Sequence, residues 1–278
     1  MEVAIETSLK YPWVNQGWKK MLVGGGIFLL GYIGAVFCGT VIAVILTAAY
    51  QSLVQDVVQS EVNTIARMLG TLFGFIFSFA YLPILYGYFW EAVSQAKHKN
   101  HDYPELPNWS GHLGDFYKSG IKFYVWHQFC NLPLWFISFV IDVGTFLKSS
   151  EPALAATLTI GGLILIIVFY LIGFFLTPFL LVPIYFNDTH VSWGELISIK
   201  KIITLGKKHY GNVLITCLLV VILQVVVGIG SLIGGILTCC IGFLLIPSIG
   251  LGLNLSNGLM LLQAYELDKQ EASGQISA

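Results

Sequence analysis

His98, His101, Asp102, His112 and Asp115 form the one cluster of metal-capable side chains in this 278-residue chain, and the His98-x-x-His101 spacing suits two ligands of one ion. No cysteine or glutamate pattern completes the set, and Pro104 and Pro107 separate its halves. The cluster therefore reads as a solvated loop, with no metal site assigned. Gly24, Gly25 and Gly26 resemble a phosphate-binding loop, but the Gly-Lys-Ser/Thr ending that such a loop needs is missing, and close helix packing accounts for them better. His127, Gln128 and Asn131 make a polar stripe one turn long. Nucleophilic chemistry there would need a serine or cysteine partner that the sequence does not assign, so interhelical hydrogen bonding is expected. No ionisable residue lies deep inside an apolar run, where burial in hydrocarbon would mark a function, and Asp142 reads as an interfacial boundary. The sequence thus predicts no catalytic residue, no cofactor and no metal.

What positions these residues must be a set of membrane helices. The chain is 56% hydrophobic and 10% charged, with a mean hydropathy of +0.79, more apolar surface than one soluble core can hide. Its five cysteines, Cys38, Cys130, Cys217, Cys239 and Cys240, form no C-x-x-C pair, so no disulfide framework is indicated. The opening MEVAIETSLK is acidic rather than basic, and the apolar run after it is too long for a signal-peptide core. It reads as a retained transmembrane helix.

About 20 uncharged residues cross the hydrocarbon core, and on that ruler the chain gives six crossings. They lie within Met21 to Tyr50, Met68 to Trp90, Phe123 to Ile141 and Ala153 to Phe186, and twice within the charge-free stretch from Tyr210 to Tyr265, split near Thr238, Cys239 and Cys240. Pro178 and Pro183 are expected to bend or break the fourth near its end. Twelve of the fourteen basic residues then share one face, with Arg67 and Lys148 on the other. Because Lys and Arg collect on the cytoplasmic side, both termini and the two long loops are placed in the cytoplasm. The expectation is a single polytopic membrane domain, 1–278, of all-α class: a six-helix transmembrane bundle in the cytoplasmic membrane of a prokaryote.

Three segments on that face share a pattern. In DYPELPNWSGHLGDFYKSG and the residues after it, Trp109, Leu113, Phe116, Tyr117, Ile121 and Tyr124 fall on one helical face, opposite His112, Asp115, Lys118 and Lys122. SWGELISIKKIITLGKKHYGN offers a capping box at Ser192 and Glu195, with Trp193, Leu196, Ile197 and Ile203 as its apolar side. YPWVNQGWKKMLVGGG sets Val14, Trp18, Met21 and Leu22 beside Lys19 and Lys20. Each reads as an amphipathic helix on the cytoplasmic membrane surface. Trp13, Trp18, Lys19, Lys20, Trp109, Phe116, Lys118, Lys122, Trp193, Lys200 and Lys201 are the expected membrane-interface residues. A hairpin follows each segment, and each second helix carries an interior proline: Pro83, Pro178 with Pro183, and Pro247. Two readings stand: three repeats, 13–108, 109–192 and 193–278, or three unrelated hairpins.

Paired with the amino-terminal YPWVNQGWKKMLVGGGIFLL, the stretch GYFWEAVSQAKHKNHDYPELPNWSGHLGDFYKSGIKF is similar to the prokaryotic membrane family known as domain of unknown function 4013. Gly87, Tyr88, Leu106, Pro107 and Trp109 are the most specific part of the resemblance. It covers most of the chain in order and spacing, with the last two helices alike in hydropathy alone. It implies a bacterial or archaeal multi-spanning protein and brings no activity or active site with it.

Three function classes follow. A non-catalytic protein that organises lipids or a protein partner at the cytoplasmic face leads, with no nucleic acid among its partners and its oligomeric state open. A transporter or conduit for a small solute or lipid is second: three hairpins with proline-bent helices are similar in outline to mitochondrial carriers, but the Pro-x-acidic-x-x-basic signature is absent. An intramembrane enzyme is third. Asn131, Gly230, Gly234, Asn254 and Asn257 are expected in helix packing or a polar interior, with Gly70 and Gly74 at small-xxx-small spacing. Asn254 and Asn257 are expected to share an inward side with Gly250 and Gly258.

Overall fold

The computed structural model describes residues 5–14, 16–53, 59–98, 105–148, 150–187, 191–237 and 246–272. No strand occurs among them. The elements are α1 (Ile5–Lys10), a 3₁₀ turn (Tyr11–Trp13), α2 (Gly17–Leu53), α3 (Gln59–His98), α4 (Leu113–Phe146), α5 (Pro152–Leu180), α6 (Val182–Tyr185), α7 (Trp193–Leu196), α8 (Ile199–Lys208), α9 (Tyr210–Leu237) and α10 (Ile246–Ala272).

Among the described residues five stretches are long and apolar enough to cross a membrane: Gly17–Ser52, Met68–Lys97, Leu113–Phe146, Pro152–Tyr185 and Tyr210–Ser231. They coincide with the first five expected crossings. The sixth falls on α10, which lies outside that set. Its Ser, Asn, Gly and Gln residues dilute its apolar character. The proposed split at Thr238, Cys239 and Cys240 lies outside the described residues, between α9 and α10.

Two of the three expected surface helices do not exist as separate elements. Amphipathic residues 113–124 are the first turns of α4, which continues unbroken to Phe146, and Lys19 to Leu22 likewise open α2. Nothing in either sequence stops the helix, since Gly24 to Gly26 and Gly120 are helical in place. The third does form. Ser192 caps α7 through the expected box, its hydroxyl accepting from the Glu195 N–H while the Glu195 carboxylate accepts from the Ser192 N–H. Pro178 and Pro183 also act as expected: α5 ends at Leu180, and Pro183 sits in the first turn of α6, where its missing N–H costs nothing.

The chain divides into two compact units. The first comprises 1–29, 83–124 and 175–278, and its core is built on α10, which packs against α9, α1, the 3₁₀ turn and α6. Leu255 to Tyr265 of α10 are buried without interruption. The second unit comprises 30–82 and 125–174. Within it Gly39 of α2 approaches the backbone of Gly70 and Gly74 of α3, as small-xxx-small spacing allows, and Gly162 of α5 fits against Ile141 of α4.

Candidate functional site

Within the first unit, side chains from separate segments tie onto one another's main chain. Lys20 of α2 donates its ammonium to the carbonyl of Leu106, and the Trp109 indole N–H returns a bond to the Lys20 carbonyl at 2.8 Å. Lys122 of α4 donates to the Val191 carbonyl at 2.6 Å. Lys201 of α8 donates to the Asn187 side-chain oxygen at 2.5 Å, while the Asn187 amide reaches the Pro183 carbonyl at 3.0 Å. An ammonium on a carbonyl is a charge-assisted bond, stronger than a neutral one.

Rings fill the space between these ties. Tyr88 of α3 stacks on Trp109 at 3.8 Å, nearly parallel, and Phe116 meets both edge-on. Trp90 stacks on Phe123 at 4.1 Å. A second group joins Tyr185, Phe186, His209 and Tyr265, where the Tyr265 hydroxyl donates to the Pro178 carbonyl at 2.5 Å. The Pro178 region thus binds to the last helix directly.

Glycines allow the closest approaches. A Cβ on Gly120 would stand 1.9 Å from the Pro83 carbonyl oxygen, one on Gly206 would stand 2.3 Å from the Phe179 ring, and one on Gly25 would stand 2.1 Å from the Ser248 hydroxyl. Phe179 follows Pro178 and Ser248 follows Pro247. Each of these glycines therefore meets a proline-bearing stretch of another helix, and no side chain would fit between. Gly24 is closed by Leu251 and Trp109, so two of the three glycines in that run are packing positions, while Gly26 has open space beside it.

The expected site residues divide sharply by surroundings. Trp13, Trp18, Lys19, Lys118, Trp193 and Lys200 are exposed, and Lys19 lies over the Trp18 ring at 5.6 Å. Lys20, Lys122 and Lys201 are half-buried in the ties above. Trp109 and Phe116 are buried core, at 7% and 5% exposure, so the periodicity read as a lipid-facing side marks a protein-facing one. Asn131 bonds the His127 carbonyl at 2.8 Å within its own helix, and Gln128 accepts from the Trp135 indole. Gly230 is exposed with open space beside it, and the surroundings of Gly234 lie outside the described residues. Asn257 is buried and Asn254 exposed, so the two amides do not share one environment. One turn of helix separates a core position from an outer one.

His112 and Asp115 stand 3.7 Å apart on the surface, while the His98 side chain, His101 and Asp102 lie outside the described residues. Among the described residues no three His, Cys, Asp or Glu gather in metal-binding range. In α1 the Lys10 ammonium, hydrogen-bonded to Glu6, holds that carboxyl below the usual carboxylate range. The sequence reading gave no packing role to Tyr88, Trp90, His209 or Tyr265, and named Tyr88 only within the family motif. Tyr88 had a signal in its motif neighbours Gly87 and Trp109, whereas the other three had none, because ring partners distant in sequence leave no periodic mark.

Ties, stacked rings and apolar spans together define an all-helical, multi-pass membrane protein. The chain matches the family described as "Protein of unknown function (DUF4013)" over residues 71–239, more than half its length, and belongs to it. The match takes in α9, which the resemblance credited with hydropathy alone, and leaves the amino-terminal stretch 11–30 outside. No curated protein and no solved structure matches the chain.

Proposed function

We propose that the chain is a non-catalytic protein of a prokaryotic cytoplasmic membrane, crossing six times as three hairpins with both termini inside, and that it organises lipids or a protein partner at the cytoplasmic face. One observation carries the reading. The basic and aromatic side chains of the three shared segments either tie the chain to itself, as Lys20, Lys122, Lys201 and Trp109 do, or stand exposed beside apolar neighbours, as Trp18, Lys19, Trp193 and Lys200 do. The first set holds a scaffold and the second offers a surface. Support for three related hairpins comes from the cyclic order of close approaches, Gly120 on the Pro83 region, Gly206 on the Pro178 region and Gly25 on the Pro247 region.

The test is co-purification of the full chain in mild detergent, with wild type beside Trp18→Ala and Trp193→Ala. A protein or lipid held in fixed proportion by wild type and lost from either variant supports the organising reading; retention unchanged in both overturns it. Orientation is tested in a cysteine-free background. A cysteine at Lys118 should resist a membrane-impermeant thiol reagent in intact cells and one at Ser150 should react, and the reverse labelling would turn the topology over.

One observation favours the conduit as a second reading. Both amide atoms of Asn257, the Tyr88 hydroxyl and the Trp90 indole N–H are buried with no hydrogen-bond partner among the described residues. Such groups cost about 1–3 kcal/mol each when left unmet, an expense that a passing polar solute would relieve.

A further inference from the structure

The α7–α8 segment is mounted firmly yet left bare on its outer side. Gly206 seats against Phe179 and Lys201 is held by Asn187, so α8 turns Ile202, Leu205 and Gly206 toward the protein. At 100° per residue the opposite side runs from Ile199 and Ile203 through Lys207 and Lys200 to Thr204 and Lys208, and all six are exposed. Ile199 is 72% exposed, an extreme value for isoleucine, and Trp193 and Ile197 of the preceding turn are exposed beside it. Residues 192–209 carry four lysines against one glutamate, and that glutamate is engaged in capping Ser192.

We propose that α7–α8 is a preformed docking surface for the anionic phospholipid headgroups of the bilayer that holds the chain. The inference rests on the membrane-spanning reading above. An apolar flank of Trp193, Ile197, Ile199 and Ile203 enters the acyl boundary, and Lys200, Lys207 and Lys208 stand beside it at headgroup level. Anionic lipid is the occupant that charge complementarity selects. A protein partner would have to neutralise three lysines and also cover isoleucines that the bilayer covers without further help. The other two basic segments offer less free charge: the amino-terminal one exposes Trp18 and Lys19 but commits Lys20 to a carbonyl, and in the middle one Trp109 and Phe116 are buried and Lys122 is committed. Because α8 is already held, docking requires no folding, so the lysines contribute in full.

The test uses the full chain in mild detergent, with retained lipid read by native mass spectrometry against phosphatidylglycerol and phosphatidylcholine. Wild type should prefer phosphatidylglycerol. Lys200→Gln, Lys207→Gln and Lys208→Gln together should lower that retention on the order of a hundred-fold, roughly five-fold per lysine or about 1 kcal/mol each, and leave phosphatidylcholine unchanged. Lys118→Gln, exposed on α4 and outside the α7–α8 surface, should change neither lipid. Equal retention in the triple variant, or equal loss from Lys118→Gln, overturns the proposal. So does displacement of the lipid by millimolar inorganic phosphate, which would make the site one for free anions. Should the triple variant not fold, wild type in about 0.5 M salt decides, since a screened surface must release the lipid and unchanged retention would refute the assignment. A chain that loses phosphatidylglycerol as predicted but holds its partners unchanged in Trp18→Ala and Trp193→Ala would sink the organising reading and leave this one standing.

Discussion

Helix α5 is free of charge along its length, and Ile160, Leu163, Ile164, Leu165, Ile167, Tyr170, Leu171 and Ile172 all stand more than half exposed on it. Helix α10 carries Ser248, Asn254, Ser256, Asn257 and Gln263, yet from Leu255 to Tyr265 it is enclosed on all sides. The more apolar helix is exposed along its length and the more polar one is enclosed within its own unit. A soluble protein sorts them the other way, because water drives apolar surface inward. Lipid tails are as apolar as leucine, so no such drive exists between helices, and close packing with hydrogen bonds decides which helix is enclosed. Small and polar residues provide both: Gly252 admits the Trp13 ring, Gly258 admits Phe89, and Gln263 donates to Ser8.

The largest effects should come from deleting the same side chain in both helices. Leu259→Ala leaves a cavity at a position 1% exposed and should cost about 2–5 kcal/mol, whereas Leu171→Ala, at 59% exposure, should stay within about 0.5 kcal/mol. Chemical unfolding in mixed micelles would measure both, and equal losses would erase the contrast. Next come the glycines. Gly120→Ala forces its methyl onto the Pro83 carbonyl and should cost roughly 1–3 kcal/mol, while Gly161→Ala, with open space beside it, should be neutral or gain up to about 1 kcal/mol of helix propensity. A thermal midpoint that falls for Gly161→Ala as far as for Gly120→Ala would mean that the open side of α5 is covered by something else.

Smaller still is the lysine tie. Lys122→Met keeps the aliphatic stem and removes the ammonium from the Val191 carbonyl, a loss of about 1.5 kcal/mol that limited proteolysis near Val191 should report as faster cleavage. The smallest and most diagnostic change is Asn257→Leu. With neither amide atom bonded among the described residues, leucine should raise the midpoint slightly or leave it alone. A fall in stability would reveal a partner for the amide, and an unchanged midpoint with lost solute uptake would move the conduit to first place. Asn254→Leu, on the exposed side, serves as its control.

How much of this was legible in the sequence follows from the range of each cause. The Ser192–Glu195 box and the breaks at Pro178 and Pro183 are local, set by three or four neighbouring residues, and they were read correctly. Membrane class and five spans follow from composition over about 20 residues. The Trp109 to Tyr124 segment was misplaced because a 3.6-residue period reports that one side is buried and not what buries it. Trp109 meets Tyr88 and Lys20, and neither is near it in sequence. Asn254 and Asn257 failed as a pair for a related reason. Their spacing puts them on one general side, but only contacts made elsewhere in the fold fix where that side's edge falls.

The seat that α10 provides also sets a schedule for biogenesis. Ser8 and Trp13 rest on Gln263 and Gly252, and Gly25 rests on Ser248, so these segments leave the ribosome long before their partners, which come after every other described helix has emerged. Until then their aromatic and glycine faces stand open at the translocon, available to lateral lipid, to chaperones or to membrane proteases. Arrival of α10 is the step that locks the newborn chain, and a ribosome stalled before residue 246 would release a product with its apolar helices inserted and its first unit unsealed.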